Sequence, residues 1–329
     1  MKHPARRHLL VLALAFVAAA ALPLAAAAQE HWPSRPIRIV VPYPAGGSTD
    51  QLARAIQNSL GETLGQPVVI ENKAGAGGLI AGEAFAKSTN DGYTLFVGAN
   101  GPVLFAPEIA KRDAYQWKRD FVPITTISMT PLVLEVHPSV KAQNLREFLD
   151  LAKREPGKMT MASPGAGTTN HLLSELAQSS LGLQWVTVHY RGNAPATNDL
   201  IGGQVHFAFD QISVALQYFK NGMLRPLAVT STKRTSWLPD VPTFKELGYP
   251  DFDAQTFTGL FAPAGTPAPI VAKLHEAMTA ILKDPAVVEK FDKIGAEAVA
   301  MTPADFTAYL SREDAKWIPI VRKADIKTN

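Results

Sequence analysis

The 329-residue sequence contains no cysteine. That excludes a disulfide framework, a thiolate zinc site, an iron–sulfur cluster and a thiol nucleophile. Excess charge is also scarce, with 32 Lys and Arg against 29 Asp and Glu. Three of the basic residues (Lys2, Arg6 and Arg7) fall in the first 28 positions, which hold no acid, so the remainder balances at 29 against 29. A neutral chain lacks the basic footprint of nucleic-acid binding. Beyond residue 28 no apolar run approaches the ~20 residues that a membrane span requires. With 47% hydrophobic and 19% charged residues, the composition is that of a packed, water-soluble chain rather than a disordered one.

Common catalytic and nucleotide motifs are missing too. No Gly-Lys-Ser/Thr supplies a phosphate-loop lysine. After Gly75-x-Gly77 a dinucleotide fingerprint needs a small residue where Ile80 stands, and after Gly165-x-Gly167 it needs one where Asn170 stands. Ser163 is preceded two positions earlier by Met161, not by the glycine of a nucleophile elbow. His275-Glu276 lacks a second histidine at Thr279, and the other histidines are dispersed, so no metal motif forms.

What is present begins with a leader. Met1 to His8 is basic, Leu9 to Ala21 is apolar, and Ala26-Ala27-Ala28 precede Gln29, the order of an export signal cleaved after residue 28. The mature chain is then expected in the periplasm. Past the leader, strand and helix alternate. Ile37 to Val41, Pro67 to Ile70 and Tyr93 to Val97 read as strands, with helices from Ser48 or Thr49 to Leu64 and to about Lys87. Later strands are expected at Leu132 to Val136, Lys158 to Ala162, Trp185 to Val188, Val205 to Phe209 and Leu227 to Thr230. Helices are expected at Leu145 to Arg154, Thr169 to Leu181, Pro267 to Leu282, Pro285 to Ile294 and Pro303 to Arg322. Thr266 and Thr302 stand where they can cap the helices that follow them. The alternation predicts two α/β lobes joined by more than one crossing of the chain.

Three glycine turns end strands and open helices: Pro42 to Asp50, Glu71 to Gly78, and Ala162 to Thr169. Each sets small residues and unpaired N–H groups at a helix start, where the dipole favours an anion. Ordinary βα turns look alike one at a time. Three together, two with hydroxyls, point to an anion site. His171, one turn past Ser163, either orients that loop or touches a ligand.

The sequence resembles the substrate-binding proteins of tripartite tricarboxylate transporters, the Bug (Bordetella uptake) family. The resemblance rests on Trp32-Pro33-Ser34-Arg35-Pro36, Val41-Pro42-Tyr43-Pro44-Ala45-Gly46-Gly47-Ser48-Thr49-Asp50, Gly65-Gln66-Pro67 with Glu71-Asn72-Lys73, and Asp91-Gly92-Tyr93-Thr94-Leu95. It continues through Ala162-Ser163, Gly202-Gly203-Gln204-Val205, Pro239-Asp240-Val241-Pro242-Thr243 and Pro263-Ala264-Gly265-Thr266-Pro267. It implies an α/β fold of the two-lobed periplasmic binding protein kind (type II-like), each lobe a mixed, mostly parallel sheet flanked by helices. Residues 29–130 and 255–329 would form lobe one and 131–254 lobe two. The implied protein is a monomeric receptor, not an enzyme, without cofactor or metal. It would close on a small carboxylate (di- or tricarboxylate, aromatic or amino acid) and deliver it to a membrane permease. An exported hydrolase or transferase, or a receptor for a membrane sensor kinase, are the alternatives.

On this reading the ligand lies between Tyr43, Ala45, Gly46, Gly47 and Ser48 with Ala74 on one side and Ser163, Gly165, Ala166, Gly167, Thr168 and Asn170 on the other. The Gly46 and Gly47 backbone and the Ser163 and Thr168 hydroxyls would be direct donors. Asp210 matches a frequent family Asp and would accept from a ligand amine or hydroxyl, orient lobe two, or cap a helix from Ile212. The usual His-Val-Pro-Tyr-Lys-Gly is here Thr187-Val188-His189-Tyr190-Arg191-Gly192, and Phe257 replaces a common Trp. His189 either faces the cleft, as a donor or as a cation at mildly acid pH, or is a surface residue ending a strand.

Overall fold

Helices and strands alternate as the punctuation by glycine and proline anticipates. The computed structural model describes Trp32–Ala324 and Ile326, so the expected export signal lies outside the described residues. The described elements all fall in the main unit from Arg35 onward. The first part of that unit runs β1 (Ile37–Val41), α1 (Ser48–Leu64), β2 (Val68–Asn72), α2 (Leu79–Ala86), β3 (Thr94–Ala99), α3 (Ala106–Ala110), α4 (Trp117–Asp120) and β4 (Phe121–Val136). Then come α5 (Leu145–Arg154), β5 (Thr160–Ser163), α6 (Thr169–Leu181), β6 (Val186–His189), α7 (Asn193–Ile201), β7 (Phe207–Gln211), α8 (Ile212–Lys220) and β8 (Arg225–Val229). The chain finishes with β9 (Gln255–Pro263), α9 (Ala268–Lys283), α10 (Pro285–Lys293), β10 (Glu297–Ala298) and α11 (Pro303–Ala324). Among the described residues no helix is long and apolar enough to cross a membrane.

The strands line up as β2-β1-β3-β9-β4-β7-β5-β6, with β8 and β10 also on β4. β1 is parallel to β2 and β3, and β5 is parallel to β6 and β7. β4 and β9 are antiparallel to their neighbours. β4 is the shared element. From Phe121 to Pro131 it pairs with β9, and from Leu132 to Val136 it pairs with β7 and β8. Thr230 ties the place where β4 changes partners to the residue just before β9. Its hydroxyl accepts the Leu132 N–H (2.9 Å) and donates to the Ala254 carbonyl. Thr230→Val removes both contacts at a buried site, and the unsatisfied groups are expected to cost about 1–3 kcal/mol. A denaturant melt reads this directly, and an unchanged midpoint would remove Thr230 from the tie.

Packing follows from the pattern of each strand. β3 is buried along its whole length, as a strand covered on both faces must be. Phe85, Phe96, Phe121 and Phe261 cluster there, with centroids 5.0–6.5 Å apart. On the second sheet Phe207 sits 4.9 Å from both Phe148 and Trp185.

Some elements differ from the expectations. β4 begins eleven residues before Leu132, because its buried Thr125 and Thr126 are satisfied by the carbonyls of Met301 and Val299 from the other end of the chain. Helix α7 was not anticipated, and α8 was anticipated only as the segment from Ile212 that Asp210 could cap. Thr302 caps α11, accepting the Asp305 N–H at 3.1 Å. Thr266 does not cap α9. Its hydroxyl donates to the Pro263 carbonyl at 2.8 Å, and the capping position falls on Pro267.

Candidate ligand-binding site

Three helix starts converge on one small cavity. It is lined by Gly47, Ser48 and Thr49 at the start of α1, by Thr168, Thr169 and Asn170 at the start of α6, and by Gly192 to Pro195 at the start of α7. The first N–H groups of a helix lack intrahelical acceptors, so donors and three positive dipole ends meet here. Tyr43, Gly101, Gln211 and Thr256 complete the wall, and the cavity offers about 50 Å³ to water-sized groups. A second compartment of about 630 Å³ opens beside it, lined by Ala74 to Gly78, Gly165, Ala166, His189 and Tyr190. The two share Tyr43, Pro44, Pro164, Thr168, Arg191 and Gly192.

Side chains behind the first loop hold it rigid. The buried Asp50 carboxylate accepts the Gly46 N–H (2.8 Å), the Asn72 amide (2.8 Å) and the Arg54 guanidinium (2.9 Å). Burial works to raise this carboxyl, but those bonds outweigh it and keep Asp50 below the usual carboxylate range. The Gly46 N–H is therefore spent within the loop, and Gly46 lines neither compartment. Gly47 and Ser48 do line the inner cavity, and the Ser48 hydroxyl also meets that of Ser213 on α8 at 2.9 Å.

The second loop is braced in the same way. Ser163 is fully buried, and its hydroxyl donates to the Gly165 carbonyl at 3.0 Å. Thr168 lines both compartments, but its hydroxyl donates to that same carbonyl (2.8 Å) and accepts the His171 N–H (3.3 Å), capping α6. Both expected hydroxyl donors thus serve the loop. Of the two roles open to His171 it has the first, since its Nδ1 accepts the Gly167 N–H at 3.2 Å. His189 faces the outer compartment with its ring 4.5 Å from that of His171. Burial, with His171 beside it, pulls its pKa down to about 4, so it stays neutral at mildly acid pH and does not become the cation anticipated there.

Asn170 and Gln211 form the floor. The Gln211 amide donates to Asn170 Oδ1 (3.0 Å) and to Thr256 Oγ1 on β9 (3.3 Å). Tyr43 and Ala45 line the inner cavity, while Ala74, Gly165 and Ala166 line the outer one. Gly167, Asp210 and Phe257 line neither. Phe257 is fully buried 5.5 Å from Phe306 and 5.9 Å from Tyr309. Asp210 does not cap α8, whose capping residue is Gln211.

Sequence reasoning missed Arg191 and Asn193 as site residues. Arg191 is the one charged residue lining the two compartments, and among the described residues it makes no ion pair. The available signal was Gly192 with Pro195 three positions on, a plausible helix start.

A cleft between two α/β sheets, walled by helix starts and spanned by crossing strands, defines a two-lobed solute-binding protein of the periplasmic kind. The sequence profile of the "Tripartite tricarboxylate transporter family receptor" matches residues 52–326, and the chain belongs to this TctC/Bug family. It is 37% identical to the protein BugT of Bordetella pertussis over 95% of this chain and 96% of that one. Among solved structures, an R. palustris protein with adipate is 33% identical at a TM-score of 0.86, covering 91% of this chain and 100% of that one. MatC from Rhodopseudomonas palustris, with bound malate, is 33% identical at a TM-score of 0.83, covering 88% and 100%. The chain is a solute-binding receptor and not an enzyme.

Proposed function

We infer that this receptor, exported and trimmed after residue 28, acts in the periplasm as a monomer that captures a small carboxylate and passes it to a tripartite tricarboxylate-type permease. The observation that carries this is the convergence of three helix starts, with unpaired Arg191, on a cavity that contains no acidic wall residue. One carboxylate fits the inner cavity among neutral donors, and the remainder of the acid extends into the outer compartment past Arg191. The relatives with adipate and malate support a dicarboxylate over the aromatic and amino acids. Residues 29–130 with 255–329, and residues 131–254, serve as the two lobes. The change of β4 partners after Pro131 and the start of β9 at Gln255 support that division.

Thermal melts of the chain from Gln29 onward, with a panel of mono-, di- and tricarboxylates, test the reading. Ligand at 100 times Kd adds about 2.7 kcal/mol to stability, a clear rise in Tm. Arg191→Gln is expected to weaken binding of a responsive acid roughly ten- to hundredfold, the worth of one hydrogen bond to a charged group. A panel without any shift would sink the carboxylate reading, and full affinity in Arg191→Gln would remove that residue from it.

A further inference from the structure

Directly behind the inner cavity, two acids share a dry interior. Asp210 on β7 is 4% exposed and Glu135 on β4 is fully buried. In the antiparallel register Val133 faces Asp210 and Glu135 faces Ala208, which sets the two carboxyls diagonally on one face of the sheet. Both oxygens of Glu135 are buried without a hydrogen-bond partner. A carboxylate left so is very costly, and a neutral carboxylic acid far less so. Asp210 is linked to the cavity wall. Its Oδ1 accepts from Asn193 Nδ2 (2.9 Å), Asn170 Nδ2 (3.3 Å) and the Gln211 N–H (2.9 Å), and all three residues line the cavity.

We propose that the Glu135–Asp210 pair is a proton site linked to the ligand cavity, so that a bound carboxylate is taken up together with a proton. The inference rests on the carboxylate reading above. An anion lodged among Asn170, Asn193 and Gln211 lies one side chain away from Asp210 across a medium that screens poorly, and repulsion favours the protonated acid. The proton sits on Asp210 Oδ2, which leaves the three bonds to Oδ1 in place. With Asp210 ionised, the Asn170 and Asn193 amide protons are drawn toward it and away from the ligand.

Burial pushes Asp210 up to about 7 despite the bonds it accepts, and burial with Asp210 nearby holds Glu135 well above the usual carboxylate range. The proton therefore belongs to the pair. Charged groups on the surrounding elements are engaged elsewhere. On α6 His171 faces Glu175 and His189 of β6, on α7 Asp199 accepts from Tyr190, and on β8 Arg225 donates to the Ala142 carbonyl. Thr197 of α7 adjoins Asp210 as a neutral group, and the nearest cation on the cavity is Arg191.

Calorimetric titration of the mature chain with malate and with adipate, in buffers of different ionisation enthalpy between pH 6.5 and 8.5, tests this. The expected result is net proton uptake of about half a proton per ligand near pH 7, growing toward one as pH rises toward 8.5. Kd should rise several-fold as pH increases, and both effects should vanish in Asp210→Asn. Binding without proton uptake would overturn the proton linkage and leave the carboxylate reading standing. Absence of binding by either acid, or by any acid of the wider panel, would overturn both. Should Asp210→Asn fail to fold, the wild-type buffer dependence decides alone.

Discussion

Between about pH 4 and pH 7 the wild-type chain is expected to lose roughly 4 kcal/mol of stability that Asp210→Asn retains. Asp210 has a folded pKa of about 7 because burial penalises its charge, whereas an unfolded aspartate titrates near 3.9. Within that window the folded chain holds a proton that the unfolded chain has released. Stability is thus complete at the acid end and declines as pH rises toward 7. Asparagine imitates the protonated acid at every pH and keeps an oxygen for the three donors that bond Asp210 Oδ1. Other carboxylates impose their own slopes; Asp50, held low by its partners, contributes stability that is lost as pH falls. The difference between wild type and variant cancels these, apart from Glu135, which Asp210 itself helps to hold up. Denaturant melts at pH 4 and pH 8 provide the comparison, and parallel pH profiles for the two proteins would show that Asp210 ionises freely.

Gly101→Ala is expected to weaken ligand binding roughly five- to hundredfold while leaving the melting temperature of the unliganded protein nearly unchanged. Gly101 follows β3 and forms part of the inner cavity wall. A Cβ there would come within 2.8 Å of the Tyr43 hydroxyl and 3.0 Å of the Gly167 carbonyl oxygen. The carbonyl is backbone, braced by His171 at the Gly167 N–H, so it cannot swing away as a side-chain tip would. Gly77 meets the Ala166 carbonyl in the same fashion, with 3.0 Å left for a Cβ. Overpacking of this kind costs about 1–3 kcal/mol, which converts to the stated loss of affinity. Its cost falls on the arrangement in which these segments touch and spares one in which they are apart. Equal affinity in the variant would mean that the bound state does not need this contact.

Much of the architecture could be read locally. The five-residue strand Ile37–Val41, the glycine turn after it and the helix ending at Leu64 were all legible, because hydrophobic period and turn chemistry are properties of neighbouring residues. Loops that bear N–H groups at helix starts were legible for the same reason. The first eleven residues of β4 were not, since Thr125, Thr126, Ser128 and Thr130 look like a solvent-facing loop until a distant segment satisfies the first two and the last two bond each other. The hydroxyls of Ser163 and Thr168 were recognised as loop residues, but their hydrogen-bond partners are set by the fold of the turn, which directs them to Gly165 rather than outward.

The sequence by itself determined a cysteine-free α/β chain of the solute-binding kind and the places where most of its helices begin. Each of those features is decided by composition or by residues within a turn of one another. Only the tertiary structure decided that the starts of α1, α6 and α7 share one cavity, that Arg191 is its single charged wall residue, and that Glu135 and Asp210 are enclosed behind it. The cavity draws on segments from Tyr43 to Thr256, and burial is a property of what packs around a residue. The same aspartate that would be an ordinary surface anion in a loop is pushed toward neutrality by a covering of helices assembled from distant parts of the chain.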